Sequence, residues 1–267
     1  MSLFHLVLVA VIQGVTEFLP VSSSGHLVLL PQIAGFEDQG QVIDVAVHVG
    51  ALFAVILYFW SDCLRILNGI GSILRGRFGG KDARLALFLS LATVPVVFAG
   101  LVMNRTGLDD AVRSTAVIGW TFVIFGIALY LADRFGSEIK ESGDWSAKDA
   151  FIMGLWQVLS LIPGTSRSGI TITGARQLGY ERSEAARLAM LMSIPTIIAS
   201  GVLVGSEVMV EADMAAARDG AIAAILAFIA ALGALWAMMR LLKHVSFTPY
   251  VIYRVILGLI ILWVAYS

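Results

Sequence analysis

The chain has 267 residues, of which 58% are apolar and 14% charged; its mean hydropathy is +0.88 and its net charge is −1. Soluble domains carry about 25% charged residues, so this composition excludes a soluble globule, and the balanced charge indicates no nucleic-acid partner. A single cysteine, Cys63, excludes a disulfide framework and a cysteine-ligated metal site.

Apolar stretches divide the chain into two short helix pairs and six long helices. A helix needs about 20 largely apolar residues to cross a bilayer. The stretches 3–12 and 27–34 are shorter, and a polar turn with a proline separates them, as another such turn separates 151–162 from 170–175. We predict that each pair forms a re-entrant helical hairpin. The predicted transmembrane spans are 43–60, 85–103, 115–132, 188–206, 220–240 and 249–266.

Basic residues alternate between the two sides that these spans define. Lysine and arginine accumulate on the cytoplasmic side of membrane proteins. The segments 61–84, 133–150, 176–187 and 240–248 contain thirteen of them, whereas the segments on the other side contain three. This distribution places the first hairpin on the outer face and the second on the inner face.

The two predicted halves have opposite orientations, because each contains one hairpin and three spans. Residues of the first polar turn recur in the second at an offset of 143 or 144. The pairs are Gln13 and Gln157, Pro20 and Pro163, Ser22 and Ser166, Ser24 and Ser168, and Gly25 and Gly169. We therefore predict an all-α polytopic membrane protein, with six transmembrane helices and two re-entrant helical hairpins in an inverted-topology repeat. Its single domain, 1–267, has halves of about 1–135 and 148–267, with a site between them.

The first polar turn carries groups suited to acid–base chemistry. Gln13 and Glu17 are four residues apart and share one helix face, and Pro20 ends that helix. The following serine triplet suits a helix N-cap, which places His26 in the first turn of the next helix, a favourable position for an anion. Near Glu17 and Ser23, His26 is a candidate acid or base.

The second polar turn repeats this plan and adds Arg167. A guanidinium binds phosphate oxygens in a bidentate manner, so two helix N-termini and one arginine indicate a phosphate site. The serines alone are more typical of helix packing in membranes. Buried charges shift this balance, because an intramembrane charge costs at least about 2.5–3.5 kcal/mol. A purely structural pair between Glu17 and Arg167 remains an alternative.

Polar residues outside the two turns are assigned structural roles. Asp44 and His48, four residues apart, favour a structural hydrogen bond over a pocket-lining pair. Tyr253 and Arg254 lie near the start of the last span, where such residues indicate interfacial anchoring.

Residues 13–26 and 163–169 together resemble the two signature motifs of the bacterial undecaprenyl pyrophosphate phosphatase family, the bacitracin-resistance proteins. The resemblance implies an enzyme that hydrolyses undecaprenyl pyrophosphate to undecaprenyl phosphate and inorganic phosphate, which recycles the carrier lipid for cell-wall synthesis. It implies action at the outer face of the bacterial cytoplasmic (inner) membrane, with Mg²⁺ or Ca²⁺ as cofactor. The expected partners are the lipid substrate and the membrane, without nucleic acid, and a homodimer is left open.

The family's motif elements fall on Gln13, Glu17, Ser22, Ser23, His26, Ser166, Arg167, Ser168 and Thr171. We expect the catalytic residues to be Glu17, Ser23, His26 and Arg167. The expected substrate-binding residues are Gln13, Ser22, Ser24, Ser166, Ser168 and Thr171. Gln13 takes the first acidic position of the motif, so any metal ligation rests on Glu17.

We expect Ser23 to attack the terminal phosphorus and His26 or Glu17 to take its proton. Attack by His26 itself, or by water that Glu17 activates, is left open by the spacing. The main rival function is a transporter or lipid flippase, since broken helices in inverted repeats are typical of transporters. A structural membrane scaffold is the third alternative.

Overall fold

The computed structural model describes residues 1–35, 38–108, 112, 114–208 and 214–267. These residues form helices joined by short connections. The α-helices of the described residues are α1 Leu3–Phe18, α2 Ser23–Ala34, α3 Gly40–Tyr58, α4 Trp60–Leu74, α5 Lys81–Thr106, α6 Thr115–Phe135, α7 Ala147–Val158, α8 Arg167–Gln177, α9 Arg182–Val208, α10 Met214–Leu241 and α11 Thr248–Tyr266. Two 3₁₀ segments, Ser142–Asp144 and Leu159–Leu161, flank α7.

Six helices of the described chain are long and apolar enough to cross a membrane: α3, α5, α6, α9, α10 and α11. They coincide with the six predicted spans, so the prediction of an all-α polytopic membrane protein is confirmed. The predicted hairpins are the pairs α1–α2 and α7–α8. Their helices have 16, 12, 12 and 11 residues, fewer than the roughly 20 that a crossing needs.

Helix α4 occupies most of a segment, 61–84, that the sequence analysis treats as a basic loop. Asp62 and Gly69 are buried, whereas Leu67 and Leu74 on α4 are exposed. Gly69 allows close packing, because a Cβ atom there would lie 2.1 Å from the backbone oxygen of Asp82 on α5. The apolar residues of α4 are too few to span a membrane, which is why hydropathy alone missed this helix.

Each hairpin packs against a span of the opposite half. Helix α1 packs on α10, and α7 packs on α5. Glycines permit both contacts: a Cβ on Gly14 would lie 2.5 Å from the Ala227 carbonyl oxygen, and one on Gly154 would lie 2.5 Å from that of Ala92. Small residues bring membrane helices together in this way. The reciprocal packing agrees with an inverted repeat, whose two halves remain a prediction.

A buried ion cluster joins α6, α8 and the start of α9. Arg176 has no exposed surface; its Nε lies 3.1 Å from Asp133 Oδ1, and it donates to the Tyr180 carbonyl at 2.6 Å. Arg182 binds the same carboxylate at 2.7 Å. These arginines therefore stabilise the connections around α8. They are also among the basic residues that indicate the cytoplasmic side of the membrane.

Candidate active site

The two polar turns share a positive φ at the serine that precedes the second helix of each pair. Helix α1 ends at Phe18, and Leu19 is extended with φ −68° and ψ 145°, as expected before a proline. Ser22 has φ +71° and Ser166 has φ +72°, and these two are the non-glycine residues with positive φ in the described chain. A left-handed backbone is uncommon for residues with a Cβ atom and concentrates at functional sites.

Each of these serines caps the helix that follows it. Ser22 Oγ accepts from the Gly25 N–H at 3.4 Å, and Ser166 Oγ accepts from the Gly169 N–H at 3.1 Å. Each hydroxyl also hydrogen-bonds to the serine two residues later, at 3.3 Å in the first turn and 3.2 Å in the second. The predicted N-caps are confirmed, and so is the correspondence between the two turns at this level.

Glu17 is the centre of the site. Its side chain is 4% exposed. Oε2 accepts from Gln13 Nε2 and from Ser23 Oγ, both at 2.7 Å, while Oε1 accepts from the Arg167 guanidinium. One buried carboxylate therefore joins the predicted nucleophile to the predicted phosphate-binding arginine of the other turn.

His48 is a member of this cluster that the sequence analysis missed. Its Nδ1 lies 2.6 Å from the Asp44 carbonyl oxygen, the structural hydrogen bond expected, but its Nε2 also lies 3.8 Å from Glu17 Oε2. No spacing in the sequence links His48 to Glu17, because the two residues lie on separate helices. The sequence feature that could have indicated a role for His48 was its pairing with Asp44 on one face of an otherwise apolar span.

His26 binds other partners than those expected. Its Nδ1 lies 2.6 Å from the Ser22 carbonyl oxygen and therefore donates to it, and in the neutral imidazole Nε2 accepts from the Tyr253 hydroxyl at 2.6 Å. The two rings stack with centroids 5.7 Å apart. Ser23 thus donates to Glu17 rather than to His26, and the catalytic role of His26 remains a prediction.

Arg254 bridges the two turns. It has no exposed surface, and it donates to the carbonyls of Pro20 at 3.3 Å and Gly164 at 3.0 Å. It also donates to the carbonyls of Thr121 and Phe122 on α6, at 3.2 and 3.3 Å. The expectation that Arg254 is an interfacial anchor is wrong. An arginine near the start of an apolar span has the same sequence signature whether it faces lipid headgroups or the protein interior.

The remaining predicted site residues hold the turns in place. Ser168 Oγ donates to the Leu19 carbonyl at 2.9 Å, which joins the second turn to the first. The Thr171 hydroxyl is buried and donates to the Arg167 carbonyl within α8. Ser24, by contrast, is exposed. Their roles in substrate binding remain predictions.

A preformed metal site is absent from the described residues, where no group of three or more His, Cys, Asp or Glu could hold an ion. The Glu17 carboxylate is the predicted ligand, and its oxygens already accept from three donors. A divalent cation normally needs several oxygen ligands. The protein groups therefore do not fit a resident cation in this conformation.

A groove between α3 and α9 lies beside the Glu17 cluster. It has a volume of about 510 Å³ and is lined by Asp44 and His48 together with apolar residues such as Leu52, Ile197 and Val202. His48 Nε2 lies 3.8 Å from Glu17 Oε2, so the groove adjoins the Glu17 cluster through His48.

Fold and site together define an integral membrane protein with a carboxylate–serine–arginine centre between two re-entrant helix pairs. Such intramembrane charges are typical of functional sites.

The chain belongs to the family of the bacitracin resistance protein BacA, whose family model matches residues 6–260. It is 65% identical to the undecaprenyl-diphosphatase of Ruegeria pomeroyi and 66% identical to that of Roseobacter denitrificans, over the full length of each chain. It is 43% identical to the undecaprenyl-diphosphatase of Erythrobacter litoralis, over 97% of this chain and 98% of the relative. The family resemblance inferred from the two motifs is confirmed.

Proposed function

We propose that this protein is a membrane phosphatase that hydrolyses undecaprenyl pyrophosphate to undecaprenyl phosphate and inorganic phosphate. Family membership and full-length similarity to undecaprenyl-diphosphatases support this activity, and the family name links it to bacitracin resistance. The observation that carries the chemistry is the Ser23 hydroxyl donating to Glu17 at 2.7 Å while Arg167 binds the other carboxylate oxygen.

In the proposed first step, Ser23 Oγ attacks the terminal phosphorus and its proton passes to Glu17. The bond from that phosphorus to the bridging oxygen breaks, and undecaprenyl phosphate leaves with the electron pair. Water then attacks the phosphoserine, and the Ser23 oxygen–phosphorus bond breaks. The proton on Glu17 returns to Ser23 Oγ, and inorganic phosphate is released.

Glu17 is preferred over His26 as the proton acceptor because the Ser23 hydroxyl already points at it. Attack by His26 would require its Nε2 to leave Tyr253. Activation of water by Glu17, without a phosphoserine, remains the alternative.

Arg167 and the N-termini of α2 and α8 supply positive charge for the diphosphate. Helix N-termini attract anions through their free N–H groups, and both helices begin beside Glu17. Arg167 has a second edge of its guanidinium with which it can bind phosphate while it holds the carboxylate. A divalent cation is best supplied with the diphosphate, since the described residues offer no site for it beforehand.

We place the site toward the outer face of the cytoplasmic membrane, with the lipid reaching it through the groove between α3 and α9. The basic segments, which the positive-inside rule assigns to the cytoplasm, support this orientation. A homodimer stays a prediction.

The activity is tested by phosphate release from a soluble prenyl diphosphate in detergent. Ser23→Ala should abolish turnover, whereas Ser72→Ala, which removes a hydroxyl bonded only to the Asn68 carbonyl of α4, should retain it. Mass spectrometry of quenched wild-type enzyme should find phosphate on Ser23. Normal turnover in Ser23→Ala would exclude the phosphoserine route, and lipid movement without phosphate release would favour a transporter.

Orientation is tested with a membrane-impermeant thiol reagent on intact cells. In a Cys63→Ala background, a cysteine at the exposed Asp38 should react, and one at the exposed Arg77 should react only after lysis. The opposite pattern would reverse the proposed orientation.

A further inference from the structure

A second polar cavity, of about 590 Å³, lies among α4, the start of α5, the 3₁₀ segment before α7, and α9. It shares no residue with the candidate active site and lies on the side that the charge map assigns to the cytoplasm. Its charged lining residues are Arg65, Lys81, Arg84, Arg187, Asp62 and Asp144.

Two of these cations hold the cavity walls together. Arg187 binds both carboxylate oxygens of Asp62, at 2.5 and 3.1 Å, and joins α9 to α4. It also donates to Ser142 Oγ at 2.8 Å. Arg65 binds Asp82 at 3.0 Å and so joins α4 to α5. The charges of Arg65 and Arg187 are therefore largely satisfied by carboxylates.

Lys81 and Arg84 are different, because neither forms an ion pair among the described residues. Both are exposed and belong to the first turn of α5. The N-cap of α5 is Gly80, which has no side chain to accept from the first N–H groups of the helix. The positive end of the α5 dipole therefore adds to their charge.

The rest of the lining combines the 3₁₀ segment, with the polar residues Ser142 and Ser146, and an apolar group. Leu85, Phe88, Leu188 and Leu191 form one side of the cavity, and Trp145, 6% exposed, lies with them. The positive-inside rule explains an excess of basic residues on this side. It does not explain why two cations without carboxylate partners stand over an apolar surface inside one cavity. That combination matches a ligand with an anionic head and a hydrocarbon tail.

We propose that this cavity binds the phosphate group of an anionic membrane lipid. Lys81 and Arg84 contact the phosphate oxygens, and the apolar side of the cavity contacts the hydrocarbon adjacent to the head. Basic pockets between helices on the cytoplasmic side recognise anionic lipid heads in this way. A free phosphate ion would use the cations but gain nothing from the apolar surface, which is why a lipid is the favoured source.

The test compares lipid binding by purified full-length protein in detergent, with native mass spectrometry counting bound phosphatidylglycerol. Wild-type protein should retain phosphatidylglycerol in preference to phosphatidylcholine with the same chains. Lys81→Ala with Arg84→Ala should weaken phosphatidylglycerol binding by roughly tenfold or more. The matched control is Arg75→Ala with Arg77→Ala, which removes two exposed charges on the same side that do not line the cavity.

Equal losses in the two double variants would overturn the proposal, because they would show only general surface attraction. Displacement of the lipid by inorganic phosphate at equal concentration would overturn the choice of a lipid. Thermal unfolding of each variant is measured in parallel, and the single variant Arg84→Gln provides the same comparison if the double variant unfolds. Both double variants should release phosphate at the wild-type rate, so this result is separate from the test of Ser23.

Discussion

The two serine turns share a capping serine with positive φ, but they carry different side chains at the positions that matter for chemistry. At the offset of 144, Ser23 corresponds to Arg167, the first residue of its helix in each case. Both reach the same carboxylate, Ser23 at Oε2 and Arg167 at Oε1 of Glu17. The comparison teaches that one repeated structural element supplies a nucleophile on one side and a cation on the other.

The glutamine pair shows the same asymmetry. Gln13 donates to Glu17 at 2.7 Å. Its counterpart Gln157 is fully buried, and neither amide atom has a partner among the described residues. The position that corresponds to Glu17 is Leu161 at the offset of 144 and Ser160 at the offset of 143, and neither carries a carboxylate. The second turn therefore has the amide without the carboxylate that would use it.

The largest effect is expected for Glu17→Gln, which keeps the shape and removes the base that only the first turn has. Loss of a general base lowers turnover by roughly 10²–10⁴-fold, and Arg167 also loses its counter-charge. Phosphate release in detergent measures this effect, with Glu181→Gln, just before α9, as the control. A rate within tenfold of wild type would show that Glu17 is not the base.

Arg167→Lys should have the next largest effect, because lysine keeps the charge but cannot bind phosphate in a bidentate manner. We expect a decrease of about 10²-fold in kcat/KM, comparable to the loss of one transition-state hydrogen-bond donor. Arg134→Lys, at the exposed end of α6, is the matched control. If Arg167→Lys retained full activity, charge alone would be sufficient at this position.

A smaller effect on activity is expected at the glutamine pair, and substitutions of Gln13 and Gln157 should have different outcomes. Gln13→Leu removes a hydrogen bond to a charged group, worth about 1.5–3 kcal/mol, so activity should fall by at least tenfold. Gln157→Leu should leave activity unchanged and the thermal midpoint equal or higher, since a buried unpaired amide is replaced by hydrocarbon. Equal losses of activity would contradict the asymmetry of the two turns.

The smallest effect concerns the positive φ angles that the turns share. Alanine at Ser22 or Ser166 should lower the unfolding free energy by about 1 kcal/mol through loss of the cap, while the unfavourable φ remains. Glycine should cost less, because it adopts positive φ readily. Thermal unfolding in detergent measures both substitutions. A different order of alanine and glycine in the two turns would show that their backbones are not equivalent.

Sequence reasoning predicted the features that depend on local order. Hydropathy located the six spans, Pro20 predicted the end of α1, and the repeated serines predicted both N-caps. The cost of intramembrane charge indicated that Glu17 and Arg167 are functional residues, and the two side chains form an ion pair in the structure.

Features that depend on contacts between distant helices were missed. His48 reaches Glu17 from α3, and Tyr253 reaches His26 from α11. Neither contact has a spacing signature, because tertiary packing alone determines which faces of α3 and α11 meet the turns. Arg254 was misassigned for the same reason. Hydropathy measures how apolar a span is, but it does not show whether an arginine in the span faces lipid headgroups or the protein interior.

The position of Arg254 has a consequence for the order in which the protein is made. The carbonyls that it binds belong to both polar turns, Pro20 in the first and Gly164 in the second, but the arginine itself lies in α11, which follows both turns in the chain. A nascent chain that has inserted every helix before α11 contains Glu17, Ser23 and Arg167, and Ser168 can already join the second turn to Leu19. It still lacks the buried guanidinium that binds carbonyls of both turns, so this part of the site is completed only after α11 has been inserted.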